Sequence, residues 1–564
     1  MNLDNYDKYF IGFLVAYAVI SIGIFSYMDV NISNSYQRAN SAAFVADFIK
    51  EHLLKVKSFD EILKIFIDGQ LQYKIFTGLT NWPPLQVILL TISFLIFGIN
   101  KFSFIFFPLI ITLLTLFSLY KLIILAYRNK KTALFGIIVA GLSTFFFYES
   151  ASPMLENGLA LFTIASIYYL VLYFRTNKEK YFYFLTSALA LGFIYKDQMI
   201  IIAPVIILMF FYKTNFKEFF ADPKSYKMLL ISFIIILVIF IPLIFRDVLL
   251  SKYGLSRLDD RFIEKFQYLK QTDSYNKGYL NPYDFEFENS ISDYKRKLII
   301  ERYTFSYFQK SFIFLTSTFF NWILIPFIIT GIFYNRKKFK DVEISIILFV
   351  MVYFVFFSLD GSIPRFVLPA SILLIVFAVR GLFELPKKLL NVSAIIILAL
   401  LLIQTSLFFS RIYNNEHVGS MQHDYNSAAE YVLEDSKNQG NVTIITSRVN
   451  EMAFYLIKLD KEKRISLELL PQKQENLDLI LRGNFSVPDL LKDNQKINYP
   501  LYRAPVKYII VHENLETGPS KGSADYDARK FIEKNAKNIY GEEFSVKIID
   551  SKFPNSKTWI YKLN

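Results

Sequence analysis

The sequence predicts an α-helical polytopic membrane protein that carries a small α/β domain at its C-terminal end. Three observations carry that prediction. First, hydrophobic residues fill 54% of the 564 positions and charged residues only 20%. Second, the apolar residues are clustered. Met228–Phe245 and Val392–Phe409 are nearly free of charge and long enough to cross a hydrocarbon core of ~30 Å as helix. Inside lipid the backbone groups must pair within their own segment, so each such stretch reads as a helix. Third, the chain changes character at Arg411, where short apolar runs begin to alternate with polar helical patterns.

The spans are taken in order. Apolar segments cover 10–27, 102–121, 132–148, 157–174, 181–195, 199–212, 228–245, 311–334, 342–358, 366–383 and 390–410. Segment 10–27 has only Lys8 as a nearby positive residue and no small-x-small cleavage signal after it, so it reads as an uncleaved first span. Basic residues gather in the short loops: Arg128/Lys130/Lys131, Arg175/Lys178/Lys180, Lys213–Lys227, Arg336–Lys340 and Lys387/Lys388. This is the orientation bias of membrane proteins. It accounts for the formal net charge of +13 with no nucleic-acid partner. The loops named are expected to be cytoplasmic. The chain then sits in the cell membrane as a multi-pass protein, with a cytoplasmic N-terminus and an extracytoplasmic C-terminal domain.

Alternation of these loops works if each segment crosses once. Leu85–Phe97 then has no place as an ordinary crossing. It is expected to be re-entrant, interfacial, or a short helix packed at the outer face, which leaves 11 to 13 helices in all. The organisation follows: a membrane domain over 1–410, with a first external loop 28–101 and a long external loop 246–310, and a soluble domain over 411–564. Within the first loop, Ala42–Gly69 has mixed three- and four-residue apolar spacing, which predicts amphipathic helices on the membrane surface. In the tail, Asn441–Thr446, Val506–Val511, Phe544–Ile549 and Thr558–Lys562 read as strands. Asp424 starts a helix through Leu433, and Asp527–Ala536 is another. Strands alternating with helices give an α/β domain.

Several chemistries are excluded at once. There is no cysteine, so disulfides, thiolate nucleophiles and Cys-ligated metals are out. The four histidines, His52, His417, His423 and His512, show no close metal-ligand spacing. What remains is a set of ionisable residues at span boundaries on the predicted outer side: Asp29, Glu149, Glu156, Lys196, Asp197, Asp360 and Arg365. Taken singly, each is an ordinary hydrated helix-end anchor. Charge beside lipid is costly unless it is hydrated, paired or used. Together, carboxylates and cations at one interface suit a phosphate-bearing lipid and a general base.

Three pieces of sequence resemble the glycosyltransferase-C superfamily, in its branch of protein O-mannosyltransferases and lipid A aminoarabinose transferases. Asn81-Trp82-Pro83-Pro84-Leu85 with Ile96-Phe97-Gly98, then Ala188–Lys196 with Ala203-Pro204, then Ile363–Pro369, follow the branch's order. The resemblance implies a GT-C-like fold and a membrane glycosyltransferase that draws on a polyprenyl-phosphate-linked sugar at the outer leaflet. By this resemblance Asp29 is the base or acceptor-positioning group, with Asp47 as fallback. Glu156 is the second acidic residue, with Glu149 behind it. The family's basic residue before Pro-Pro is replaced by Trp82. Phosphate binding then falls to Lys196 and Arg365, since an Arg fork and a Lys point charge both suit it. Trp82 and Tyr36 complete the substrate contacts, and Arg257 and Arg261 are further cations in the long loop.

The implied reaction is attack of an acceptor hydroxyl or amine on the anomeric carbon, with inversion and departure of the lipid phosphate. A divalent cation, Mg²⁺ or Mn²⁺, is admitted if Asp29 and Glu156 converge, because oxygen ligands suit both. Partners are the sugar donor, the lipid bilayer and an acceptor the sequence does not identify. Two other classes compete. A polytopic transporter or lipid flippase would show internal repeats and broken helices at the midplane, and no repeat is evident. A non-catalytic scaffold is the third reading.

Overall fold

The computed structural model describes residues 4–28, 33–52, 84–214, 221–251, 322–333, 340–360, 368–414, 424–446, 448–470, 505–514, 524–540, 545–550 and 556–563, with a few isolated positions between them. Helices dominate. They are α1 Asn5–Tyr27, α2 Ser33–Glu51, α3 Pro84–Phe97, α4 Lys101–Tyr127, α5 Lys130–Leu142, α6 Thr144–Glu149, α7 Glu156–Thr176, α8 Glu179–Tyr195, α9 Ala203–Lys213, α10 Pro223–Ser251, α11 Ile325–Phe333, α12 Asp341–Asp360, α13 Leu368–Phe383 and α14 Lys387–Tyr413. The tail continues with α15 Tyr425–Asp435, β1 Val442–Thr446, α16 Val449–Leu459, β2 Ile465–Leu469, β3 Val506–Asn514, α17 Ala524–Tyr540, β4 Ser545–Asp550 and β5 Ser556–Lys562.

Five helices among the described residues are long and apolar enough to cross a membrane: α1, α4, α7, Pro223–Ile241 of α10, and α14. Of the other expected segments, some are shorter or divided among the described residues, and 311–321 lies outside them. Segment 132–148 divides at Ser143, whose extended backbone separates α5 from α6. Segment 199–212 opens as a 3-10 turn over Asp197–Ile202 before α9 begins. The helix α3 has 14 residues, so at ~1.5 Å per residue it spans roughly 21 Å and falls short of the hydrocarbon core.

Close packing relies on small residues, as is usual between membrane helices. A Cβ on Gly331 would lie 2.0 Å from the Phe377 carbonyl oxygen, and one on Gly381 2.0 Å from that of Phe327. The helices α11 and α13 therefore touch backbone to backbone.

The basic loops meet at one end of the bundle. Lys130 binds Asp4 at 2.7 Å and Asp7 at 2.6 Å. Asp341 receives Lys213 at 2.6 Å and Arg175 at 3.9 Å, and Arg380 pairs with Glu343. Arg175 and Lys340 also donate to the last carbonyls of α4, those of Leu125 and Ala126, at 2.8 Å each. Four of the loops that the charge pattern put on one side are thus brought together in space.

The tail is a three-layer α/β unit. Its five strands run in the order β2-β1-β3-β5-β4; β1 pairs in parallel with β2 and β3, and β5 antiparallel with β3 and β4. Alternate residues face opposite layers. Ile444, Ile510 and Ile560 pack with Ala428 and Val432 of α15 and Met452 of α16. Ile445, Ile509, Trp559 and Tyr561 pack with Ala528 and Ile532 of α17. Each strand and each of the two helices expected in the tail is present. The sequence reading left out α16 and β2.

The first-loop helix differs from expectation. The described part of Ala42–Gly69 does not lie on a membrane surface, since α2 is buried on nearly every side from Tyr36 to Phe48. Both faces have partners. The Ala42 carbonyl accepts from Thr91 of α3 at 3.4 Å, and Lys50 donates to the Phe94 carbonyl at 3.3 Å. On the other side Asn40 donates to the Asn450 carbonyl of α16 at 2.8 Å. Alanines at 39, 42, 43 and 46 give the flat surface this needs. Asp47 faces Lys461 and Lys463 of the tail at 3.7 Å each.

Two outcomes follow. Replacing Gly381 by Val should cost at least the ~1–3 kcal/mol of an overpacked core, read as a lower thermal midpoint in detergent; an unchanged midpoint would contradict the backbone contact. In the tail, burial raises the Asp435 carboxyl, but hydrogen bonds from Tyr508 (2.5 Å) and Lys562 (2.9 Å to the same oxygen, 3.1 Å to the other) outweigh it and hold the group below its ordinary value. Its stabilisation is therefore complete above the unfolded pKa of about 3.9 and fades as pH falls through the lower folded value. Acid unfolding of the tail should be shallower in Asp435→Asn than in the wild type; identical acid curves would show that the group contributes nothing.

Candidate functional site

The segment from Glu149 to Leu161 is buried without interruption. Ser152-Pro153 ends the short helix α6, because proline disfavours helical backbone in the residue before it. The loop is then pinned from three helices. Thr112 of α4 donates to the Ser150 carbonyl at 3.2 Å. Gln86 of α3 donates to the Met154 carbonyl at 3.1 Å. Arg38 of α2 donates through Nη1 to the Pro153 carbonyl at 2.9 Å and contacts Met154 Sδ at 3.2 Å. Asn157 closes the loop on itself, donating to Thr112 Oγ1 and to the Glu149 carbonyl at 2.9 Å each.

The loop delivers Glu156 to the first turn of α7. The neighbouring helix α8 runs back antiparallel and ends with Lys196 as its C-cap residue, whose N–H bonds the Gly192 carbonyl at 2.7 Å. Lys196 Nζ donates to Glu156 Oε1 at 2.9 Å, and both side chains are almost wholly buried, 6% and 2% exposed. The helix ends favour both charges, since an anion is stabilised at a helix N-terminus and a cation at a C-terminus. Tyr195 lies over Gly158, where a Cβ would come within 2.0 Å of its ring. The result is a buried polar cluster built from five helices at one end of the bundle.

The structure therefore brings together two of the residues expected from sequence, Glu156 and Lys196, which the reading had given separate tasks. Glu149 is fully buried, and its carbonyl accepts from Asn157. Tyr36 is placed a little apart, its ring 5.4 Å from Phe104 and 5.7 Å from Phe454, where α2, α4 and α16 meet. Asp47 is engaged with the tail lysines, as described. Asp29, Trp82, Arg365, Arg257 and Arg261 lie outside the described residues. Among the described residues no group of three or more His, Asp or Glu converges as a metal site would. Sequence reasoning missed Arg38 and Gln86. The signal was present for Arg38, a lone cation in the alanine-rich face of α2.

Comparison with known proteins bears on this cluster. Residues 81–244 match the family model for dolichyl-phosphate-mannose-protein mannosyltransferase. The match begins at the Trp82-Pro83-Pro84 motif and contains Gln86, Glu156, Tyr195 and Lys196. It is the family to which the sequence motifs pointed. Solved structures with similarity include ArnT from Cupriavidus metallidurans in the apo state, at 11% identity over 98% of each chain and a TM-score of 0.45. ArnT from the same organism bound to undecaprenyl phosphate gives 11% identity over 97% of this chain and 98% of that one, with a TM-score of 0.48. No curated protein matches.

Removing one partner of a buried ion pair typically costs about 3–5 kcal/mol because the other charge is left uncompensated. Lys196→Met and Glu156→Leu should each lower the thermal midpoint, and the double variant should regain most of the loss. A double variant as unstable as the sum of the singles would refute direct pairing.

Proposed function

We propose that this chain is a membrane glycosyltransferase that moves a sugar from a polyprenyl-phosphate-linked donor to an acceptor at the outer face. The observation that carries this reading is the family match over 81–244, which runs through the residues that build the buried cluster.

The roles follow from chemistry. An acceptor hydroxyl or amine attacks the anomeric carbon, the bond from that carbon to the lipid phosphate oxygen breaks, and the phosphate leaves with its charge. One direct displacement inverts the anomeric centre, whether the sugar is a hexose or a pentose. Asp29 accepts the proton that the acceptor loses. Lys196 and Arg365 meet the phosphate, and a preformed cation there stabilises the charge that develops on the leaving group. Glu156 holds the Lys196 ammonium in place through the 2.9 Å contact, so that Lys196 need not reorganise when the phosphate departs. Arg38, rigidly forked onto the loop before Glu156, adds a second fixed cation to the cluster. Chelator treatment during the assay decides whether a divalent cation is needed.

The basic end of the bundle is cytoplasmic in this reading, which puts the Glu156–Lys196 cluster and the tail outside. A reporter fused after Phe409 should respond as an extracytoplasmic fusion, and a cytoplasmic response would reverse the orientation.

The direct test is donor consumption by purified protein in lipid, supplied with polyprenyl-phosphate sugars. Loss of a general base typically costs 10²–10⁴-fold in rate and loss of one charge-stabilising donor ~10²–10³-fold. Asp29→Asn and Arg365→Ala should fall in those ranges. Wild-type turnover with both variants unaffected would remove these residues from the site. Absence of turnover with every donor would overturn the glycosyltransferase reading itself.

A further inference from the structure

The tail reaches into the membrane domain with an aromatic ring. Phe454 of α16 is buried among three other rings, each from a different helix. Its centroid lies 5.7 Å from that of Tyr36 on α2, 6.1 Å from Phe94 on α3 and 5.5 Å from Phe104 on α4. Such separations, with the rings tilted or edge-on, are those of favourable aromatic pairs. A gap beside the ring measures about 10 Å³, at the bottom of the ~10–15 Å³ that one water needs, so the ring fits its socket closely. Contacts along α2 flank it. Asn40 donates to the Asn450 carbonyl, Lys463 lies over the Phe44 ring at 5.8 Å, and Asp47 faces Lys461 and Lys463. Residues 36, 40, 44 and 47 recur at three- or four-residue spacing, which puts them on one face of the helix.

The three helices that make this socket are the three that pin the loop before Glu156. The helix α2 gives Tyr36 to the socket and Arg38 to the Pro153 carbonyl. The helix α3 gives Phe94 to the socket and Gln86 to the Met154 carbonyl. The helix α4 gives Phe104 to the socket and Thr112 to the Ser150 carbonyl. On α3 and α4 the two residues are eight positions apart, roughly 12 Å at ~1.5 Å per residue. On α2 they are two positions apart, which turns Arg38 more than half a turn away from the face that meets the tail. Close-packed interiors are hardly compressible and transmit displacement, so helix spacing set at the ring is carried to the loop.

We propose that Phe454 is a positioning residue for the Glu156–Lys196 pair, acting through α2, α3 and α4 on the loop that delivers Glu156. Its effect on turnover rests on the glycosyltransferase reading; its hold on the loop does not. The ring fixes the distances between three helices. Through Arg38, Gln86 and Thr112 those distances fix the backbone from Ser150 to Met154. A charge pair that must be in place when the phosphate departs is sensitive to such support, since a displacement of ~1 Å caused far from the chemistry can cost ~10²-fold in rate. The tail thereby contributes to the reaction without supplying a group that meets the substrate.

The test measures turnover of a polyprenyl-phosphate sugar, and backbone hydrogen exchange, in the full-length protein in lipid. Phe454→Ala empties the socket and should lower kcat by about tenfold or more. KM for the donor should stay within about twofold of wild type, the pattern of an interaction lost only in the transition state. Amides across 150–157 should exchange faster, as they should in Arg38→Met, which releases the loop directly. Phe454→Leu keeps most of the volume and should lose only about threefold in kcat, with a smaller rise in loop exchange. Ile532→Ala removes a buried side chain of α17 on the other side of the sheet and serves as control; kcat and loop exchange should match wild type. Wild-type kcat and loop exchange in Phe454→Ala overturn the inference while leaving the enzyme reading intact. A loss that Ile532→Ala reproduces also overturns it, because the loss then comes from the stability of the tail alone. Should Phe454→Ala fail to fold, Phe454→Leu decides, and equality with wild type in both readouts overturns the inference. Should the wild type consume no donor, the enzyme reading falls and exchange decides alone. Faster exchange across 150–157 in Phe454→Ala and not in Ile532→Ala upholds the inference, and unchanged exchange overturns it.

Discussion

The ion pair between Glu156 and Lys196 sets the requirements that the surrounding helices meet. Two opposite charges almost out of contact with solvent are costly to bury and repay that cost only in good geometry. The geometry comes from several elements at once. The antiparallel packing of α7 and α8 brings an N-terminus and a C-terminus side by side, so the helix dipoles favour both ions. The loop before Glu156 must then be fixed, and α2, α3 and α4 each contribute one side chain to fix it. Gly158 is required because Tyr195 fills the space a side chain would take. A pair of charges thus explains why a loop of a membrane protein is buried as deeply as a core helix.

The two ends of the bundle use charge differently. At the basic end Arg380 and Glu343 form one enclosed pair, 10% and 2% exposed, and Lys130, Arg175 and Lys213 meet Asp4, Asp7 and Asp341 in partly exposed contacts. Such contacts are individually weak, and they tie helix ends together where water is present. At the other end the charges are few and enclosed. There the tail adds its own contribution, since α16 covers the face of α2 that α3 does not. The cluster and the tail share α2 as a common wall.

Much of this was readable from residue order. Long charge-free runs announced α1, α4, α10 and α14, because twenty apolar residues have few alternatives to a spanning helix. Apolar runs of five residues between polar stretches announced β1, β3 and β5. The strand β2 was overlooked although Ile465–Leu469 alternates apolar and polar as a strand does, because it follows directly on a run of charges. The broken segments were hidden too: hydropathy reads composition, and Ser143 or the 3-10 turn at Asp197–Ile202 changes composition hardly at all. For the site, position at span ends was enough to single out Glu156 and Lys196, since ionisable residues there are few. That they pair with each other, and that Arg38 and Gln86 stand behind them, depends on contacts 40 to 115 residues apart in the chain. Local pattern carries no record of those.

The sandwich formed by α2 also has a consequence in time. One of its faces is satisfied by α3, which follows within some thirty residues, but the other waits for α16, and Asn40 meets Asn450 across 410 positions. During synthesis the helix must therefore remain half-covered while nearly the whole membrane region is inserted. Its alanine surface, weakly apolar and too small to grip a wrong neighbour, suits that long wait. Completion of the wall waits for α16, so the polar cluster behind it stays open on that flank until every membrane helix has been made.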